Sequence, residues 1–242
     1  MEDHNFKMKK IGLIGGMSWE SSLVYYKIMN EKVNQLRGGF HSCKLVMESV
    51  DFAEIEALQH KNDWKSLDNL MVAAAQNLEK AGAEVIVLCT NTMHLCSDAI
   101  QANTNIPFIH IAEATGKALQ QSGIDKALLL GTKFTMERRF YTEILQQKFN
   151  IETLVPNEQD REIVHRIIYQ ELVHGKITST AKETYQHIIE KSAASGAEGV
   201  ILGCTEIPLL IQSKDVSIPV FDTTRIHAES AIRFALNHQM EK

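Results

Sequence analysis

No apolar run in this chain approaches the roughly 18–20 residues needed to cross a bilayer, so no membrane span is expected. A cationic excess is missing too: 25 Lys plus Arg stand against 30 Asp plus Glu, a formal charge of −5. Nucleic acid and anionic membranes both select basic patches, and neither is an expected partner. Cysteine is scarce. The four in 242 residues lack the spacing of a disulfide framework, which predicts reduced thiols in a cytoplasmic protein. The stretch Met1–Lys10 is polar and charged, and the apolar run behind it is too short and too glycine-rich for a signal peptide. What remains is an ordinary globular composition, 44% apolar, long enough for one large domain or two small ones.

Within that frame, short apolar runs alternate with helical patterns along the whole chain. Strands are predicted at Ile11–Ile14, Leu45–Met47, Val85–Leu88, Phe108–Ile111, Ala127–Leu130, Glu152–Val155, Val200–Leu202 and Val220–Phe221. Amphipathic stretches such as Trp64–Ala81 and Ile163–Val173 lie between them. Alternation of this kind predicts an α/β fold with parallel sheets covered by helices on both faces.

The chain also repeats itself. Gly82-Ala83-Glu84-Val85-Ile86-Val87-Leu88-Cys89-Thr90 is a version of Gly196-Ala197-Glu198-Gly199-Val200-Ile201-Leu202-Gly203-Cys204-Thr205. Lys10–Gly16 matches Lys126–Thr132, and Ile106-Pro107-Phe108 matches Ile218-Pro219-Val220. Three matches in the same order predict two similar α/β domains. Ligands of open parallel sheets sit beyond the carboxyl ends of the strands, so facing copies would share one cleft.

Each copy ends a buried strand on a thiol followed by polar, helix-starting residues: Thr90-Asn91-Thr92 in one, Thr205-Glu206 in the other. A helix start offers unpaired N–H groups that hold a carboxylate and lower the pKa of an adjacent thiol from about 8.5. Either cysteine alone reads as a small buried hydrophobe. As a pair on opposite faces of one carbon, they suit the interconversion of amino-acid enantiomers: one thiolate abstracts the α-proton and the other thiol returns one. Reacting atoms about 3–3.5 Å apart would set the sulfurs roughly 7 Å from each other, far beyond a disulfide.

Together, Gly15-Gly16-Met17-Ser18, Cys89-Thr90-Asn91-Thr92 and Gly203-Cys204-Thr205-Glu206, in that order, resemble the aspartate/glutamate racemase superfamily of cofactor-independent amino-acid racemases. Met17–Ser21 and Cys89–His94 are most similar to its broad-specificity branch. The resemblance implies two pseudo-symmetric flavodoxin-like domains, each a parallel four-stranded sheet flanked by helices, with the active site in the cleft between them. The first would comprise 1–113 with 223–242, its C-terminal helix returning to it, and the second 114–222. It implies Cys89 and Cys204 as the two bases, and Thr90, Asn91, Thr92, Thr132 and Thr205 as carboxylate contacts. Met17, in the loop after the first strand, and Glu206, beside the second thiol, are expected as further substrate contacts. No cofactor and no metal are implied; the implied partners are a small amino-acid substrate and a second copy in a homodimer.

One departure bears on substrate. Aspartate-specific members of the family place an Arg in the loop after the second strand and a Lys in a second-domain helix. Here Ser49–His60 contains neither Arg nor Lys, and near Tyr169–Gly175 the chain offers Val173 and His174, with Lys176 beyond. A buried carboxylate without a cation is costly, so a neutral side chain is expected, with Gln59 as its contact. The glutamate-racemase branch has a His where this chain has Glu206, which is expected either to cap its helix or to orient Cys204.

Other readings compete. Gly12, Gly15 and Gly16 do not make a dinucleotide fingerprint and read as a tight turn. Cys89, His94 and Cys96 could be metal ligands, but their positions diverge and no further ligand completes a set. Cys43 and Cys96 read as packing residues, His227 as a helix residue, and Trp19 and Trp64 as core or interface, with Trp19 also placed to close a cleft. Aspartate racemisation, another isomerase or decarboxylase acting on a small carboxylic acid, and a non-catalytic small-carboxylate binder remain the alternatives.

Overall fold

The computed structural model describes residues 8–236; residues 1–7 and 237–242, and with them most of the polar stretch Met1–Lys10, lie outside it. The described chain forms two compact units, 8–110 with 227–236, and 111–226.

In the first unit the order is β1 (Ile11–Gly15), α1 (Trp19–Arg37), β2 (Leu45–Ser49), α2 (Phe52–His60), α3 (Trp64–Lys80), β3 (Val85–Leu88), α4 (Ser97–Ala102) and β4 (Phe108–Ile109). The second begins with α5 (Ile111–Gln121), β5 (Lys126–Gly131), α6 (Lys133–Glu137), α7 (Arg139–Phe149), β6 (Glu152–Leu154) and α8 (Glu158–Gln170). It continues with α9 (Ser179–Ala194), β7 (Gly199–Gly203), α10 (Ile207–Leu210) and β8 (Val220–Asp222). The last helix, α11 (Thr223–Ala235), carries the chain back into the first unit. Each unit holds one parallel four-stranded sheet, in the orders β2-β1-β3-β4 and β6-β5-β7-β8.

Side chains alternate across each sheet, as strand geometry demands. In β3, Val85 and Val87 enter one core with Tyr25 and Met29 of α1 and Ala231 and Ile232 of α11. Ile86 and Leu88 enter the opposite core with Leu67, Met71 and Leu78 of α3. Each such fully buried aliphatic side chain contributes about 1.5–3 kcal/mol of apolar burial. The second unit repeats the scheme, with Val200 and Leu202 on one face and Ile201 on the other.

The repetition reaches single hydrogen bonds. The Glu84 carboxylate accepts from Lys10 N at 2.8 Å, and the Glu198 carboxylate accepts from Lys126 N at 3.1 Å. Ile86 N donates to Pro107 O at 2.8 Å, and Val200 N to Pro219 O at 2.9 Å. Glu79 accepts from Asn105 N at 2.9 Å, and Glu190 from Ser217 N at 2.8 Å. These bonds fix strand starts and the entries to β4 and β8, so the scaffold of one unit is the scaffold of the other.

Most strands end within a residue or two of their sequence expectation, and two departures have a visible cause. The apolar run Phe108–Ile111 stops being a strand at Ile109, because Ile111 opens α5 and buries there. The compact units divide after residue 110 and after residue 226, the second division falling inside α11. The helix expected over Ile163–Val173 starts earlier, where Asn157 caps α8 by accepting from Asp160 N, and gives way to a 3-10 turn at Leu172–His174 that ends on Gly175 in the left-handed region.

Candidate active site

The loop after β1 is shaped by glycine and serine. Gly16 takes φ +93°, and a Cβ there would overlap the Val50 carbonyl, so only glycine fits. This is the tight turn expected of the glycines. Gly16 N donates to Ser22 Oγ at 2.8 Å, and Ser18 caps α1 by accepting from Ser21 N. Met17 is buried in the core beside α3, while Trp19 projects from the first turn of α1 at 65% exposure, so the core reading for Trp19 is overturned. Trp64 is partly buried and donates its indole N–H to Asn62.

After β3 the chain turns sharply. Cys89 N donates to Ile14 O at 2.9 Å, tying the turn to β1, and Ser21 Oγ reaches Cys89 O at 3.4 Å. Asn91 and Thr92 are buried, and Thr92–Cys96 forms a 3-10 turn. His94 donates its Nδ1–H to Thr90 O at 2.7 Å. The Cys89 thiol is fully buried, with Val87 O as a distant acceptor at 3.9 Å. Gln59 is buried on α2 and donates to Met93 Sδ at 3.1 Å.

The second loop has the same place in its sheet and different chemistry. Cys204 follows β7 and keeps part of its surface exposed. Its Sγ donates to Glu206 Oε2 at 3.0 Å, and Thr205 Oγ1 donates to the same oxygen at 2.7 Å. Glu206 stands at the N-terminus of α10, but its side chain makes no capping bond. Of the two roles expected for Glu206, the structure selects the contact with Cys204. Thr132, at the end of β5, caps α6 by accepting from Thr135 N.

The expected lowering of the thiol pKa values is not found. Burial pushes the Cys89 thiol well above its ordinary range. Burial also raises Cys204, and the neighbouring Glu206 carboxylate raises it further through its charge and its hydrogen bond. The physical reason lies in the elements that follow: a 3-10 turn after Cys89 and a four-residue helix after Cys204 present few aligned peptides, and desolvation outweighs them. Both environments therefore favour the neutral thiol over the thiolate.

Cys43 and Cys96 are buried among core side chains, and all four cysteines are free thiols. Among the described residues, no three His, Cys, Asp or Glu side chains converge as a metal site. No helix among them is long and apolar enough to cross a membrane. A cavity of about 600 Å³ in the second unit, bordered by Leu202, Pro208, Phe221 and Arg225, includes none of the expected site residues.

The sequence reading missed Ser21, Ser22 and the role of His94. His94 was weighed only as a metal ligand, although its i,i+4 spacing from Thr90 already allows a side-chain bond back to that carbonyl. His227 does lie on α11, as expected, but it is also fully buried and hydrogen-bonded through both ring nitrogens.

Comparison with known proteins converges on one group. Residues 14–231 match the Asp/Glu/hydantoin racemase family. The broad-specificity amino-acid racemase RacX of Bacillus subtilis is 24% identical over 184 residues, 73% of this chain and 76% of that protein. A Yersinia pestis structure assigned to the Asp/Glu racemases is 52% identical with a TM-score of 0.90, covering 95% of this chain and 100% of that one. An aspartate racemase homologue from Pyrococcus horikoshii is 40% identical with a TM-score of 0.83, covering 94% and 99%. The chain belongs to the Asp/Glu/hydantoin racemase family.

Proposed function

We propose that this protein is an amino-acid racemase that moves the α-proton between two cysteines, Cys89 and Cys204, without a cofactor. The observation that carries the reading is that both thiols end the same strand, third in chain order and third in sheet order, of two matching sheets. In the reaction, one thiolate takes the α-proton and becomes a thiol, and the electron pair of the broken C–H bond delocalises into the substrate carboxylate. The other thiol then gives its proton to the opposite face of Cα and is left as the thiolate. Amides at Thr90–Thr92 and around Thr205, with Thr132, hold the carboxylate and stabilise the charge that develops on it. Because both environments favour the neutral thiol, the first thiolate must form as substrate binds. For Cys204 the acceptor at hand is Glu206.

The substrate side chain is neutral in this reading. Ser49–His60, the end of β2 through α2, supplies no Arg or Lys, and buried Gln59 and Met93 offer polar and polarisable contact in their place. Similarity to a broad-specificity racemase agrees with this, and similarity to an aspartate racemase homologue keeps aspartate as the alternative. Incubation in D₂O with a panel of L-amino acids, followed by NMR at Cα, tests the reading. Neutral amino acids should exchange and lose optical activity without added pyridoxal phosphate or metal; absence of exchange from every amino acid would sink it, and exchange confined to aspartate would select the alternative.

The same reading extends to a cytoplasmic homodimer. Trp19, Leu23 and Tyr26 form an exposed apolar stripe on α1, flanked by Glu20 and Lys27. Two copies of α1 packed antiparallel about a two-fold axis near Leu23 would set Glu20 of each against Lys27 of the other. In sedimentation, Glu20→Lys should weaken the dimer and the double variant Glu20→Lys/Lys27→Glu should restore it; a wild-type monomer would rule the dimer out.

A further inference from the structure

Three buried histidines lie behind the Cys89 loop: His94, His110 and His227. Their rings pack edge to face, with His94 at 4.6 Å from His110 and 5.5 Å from His227 between centroids, and Phe108 closes the group at 5.4 Å from His94. Nothing in the two-cysteine mechanism uses them.

Their acceptors fix their tautomers. A carbonyl oxygen only accepts, so His94 carries a proton on Nδ1 to meet Thr90 O at 2.7 Å. By the same logic His227 carries its proton on Nε2, donating to Ile109 O at 2.7 Å, and its Nδ1 accepts from Tyr25 O–H at 2.9 Å. Burial, reinforced by the other two histidines, holds His94 well below its ordinary pKa, so it stays a neutral, single-tautomer donor.

The peptide bond is planar and trans, so the carbonyl of residue 90 and the N–H of residue 91 point in opposite directions within one plate. A ring that grips Thr90 O from the core side therefore aims the Asn91 N–H away from the core and polarises it. We propose that His94 is a positioning residue that aims the Asn91 amide at the substrate carboxylate, with His110, His227 and Phe108 locking its ring. This rests on the reading above, in which the Cys89 loop holds that carboxylate.

Two variants separate aim from mere packing. The side-chain amide of Asn reaches the place of the imidazole Nδ1, whereas that of Gln reaches the place of Nε2. His94→Asn should keep kcat/KM within about threefold of wild type, and His94→Gln should lower it by at least about tenfold, mostly through KM. A titration with alanine, followed at the Asn91 amide by ¹H–¹⁵N NMR, reads the aim without requiring turnover. The Asn91 shift should move in wild type and in His94→Asn, and not in His94→Gln at the same concentration. Equal behaviour of the two variants, or an Asn91 amide that alanine leaves unmoved in wild type, overturns the proposal. If alanine moves the amide but no amino acid exchanges its α-proton, the racemase reading fails and the aiming role of His94 stands.

Discussion

Cys89 and Cys204 occupy equivalent places in two equivalent sheets, and their surroundings differ in almost every respect. Cys89 is sealed in the core, its loop gripped from behind by an imidazole and tied by its own N–H to β1. Cys204 keeps some exposure and donates to a carboxylate that also gathers the Thr205 hydroxyl. The bonds that start and space the strands are duplicated, while those around the sulfurs are not. The sheet scaffolding therefore repeats while the contacts around the sulfurs do not: one loop is held by an imidazole and by a bond to β1, the other by a carboxylate.

The strongest way to break the comparison is to remove the thiols in turn. Cys89→Ser and Cys204→Ser should each lower racemisation by about 10²–10⁴-fold, with any residual α-exchange confined to a single enantiomer and opposite in the two variants. Wild-type rates in either variant would end the two-base mechanism.

Glu206→Gln sharpens the asymmetry. An amide still accepts a hydrogen bond but does not take up the thiol proton, so turnover should fall by roughly 10–100-fold, the low end for a positioned proton-transfer group. Enantiomers are equal in energy, so kcat/KM must fall equally in both directions. The asymmetry appears instead in the primary deuterium isotope effect, which should rise for the enantiomer that Cys204 deprotonates and fall for the other, whose slow step becomes reprotonation by Cys204.

The smallest effect is on stability, and it falls on the Cys89 side. His94 and His227 are held below the ordinary histidine value, His227 at about 3, chiefly by burial. Between about pH 6.5 and 3 the unfolded chain binds protons that the folded chain refuses, so their contribution is present above pH 6.5 and is lost as pH falls toward 3. Thermal melts from pH 7 to 4 should show a falling Tm, with a shallower slope in His94→Asn. An identical slope would show that His94 is not among the groups that drive it.

Much of this was legible in the chain. The repeated strand-Cys-Thr unit, the strands at Val85–Leu88 and Val200–Leu202, and the turn at Gly15-Gly16 follow from local pattern, because apolar runs, glycine and proline act through near neighbours. The electrostatics were not legible. A thiol before helix-forming residues suggests activation, yet the sequence does not show that the first helix is a 3-10 turn and that burial dominates. The His94 cluster was hidden for a related reason: its members come from the turn after β3, from the end of β4 and from α11, which only the fold brings together. The choice between capping and thiol contact for Glu206 turned on a rotamer, which spacing does not encode.

The bond from His227 to the Ile109 carbonyl spans 118 residues of chain. Ile109 is next to last before the chain departs into the second unit, and His227 is the first residue after it returns. One imidazole thus clasps the neck of an inserted module, exit strand to re-entry helix, inside the core of its host. Both ends of the second unit therefore meet on one side chain, which also packs against the ring that holds the turn of the first thiol.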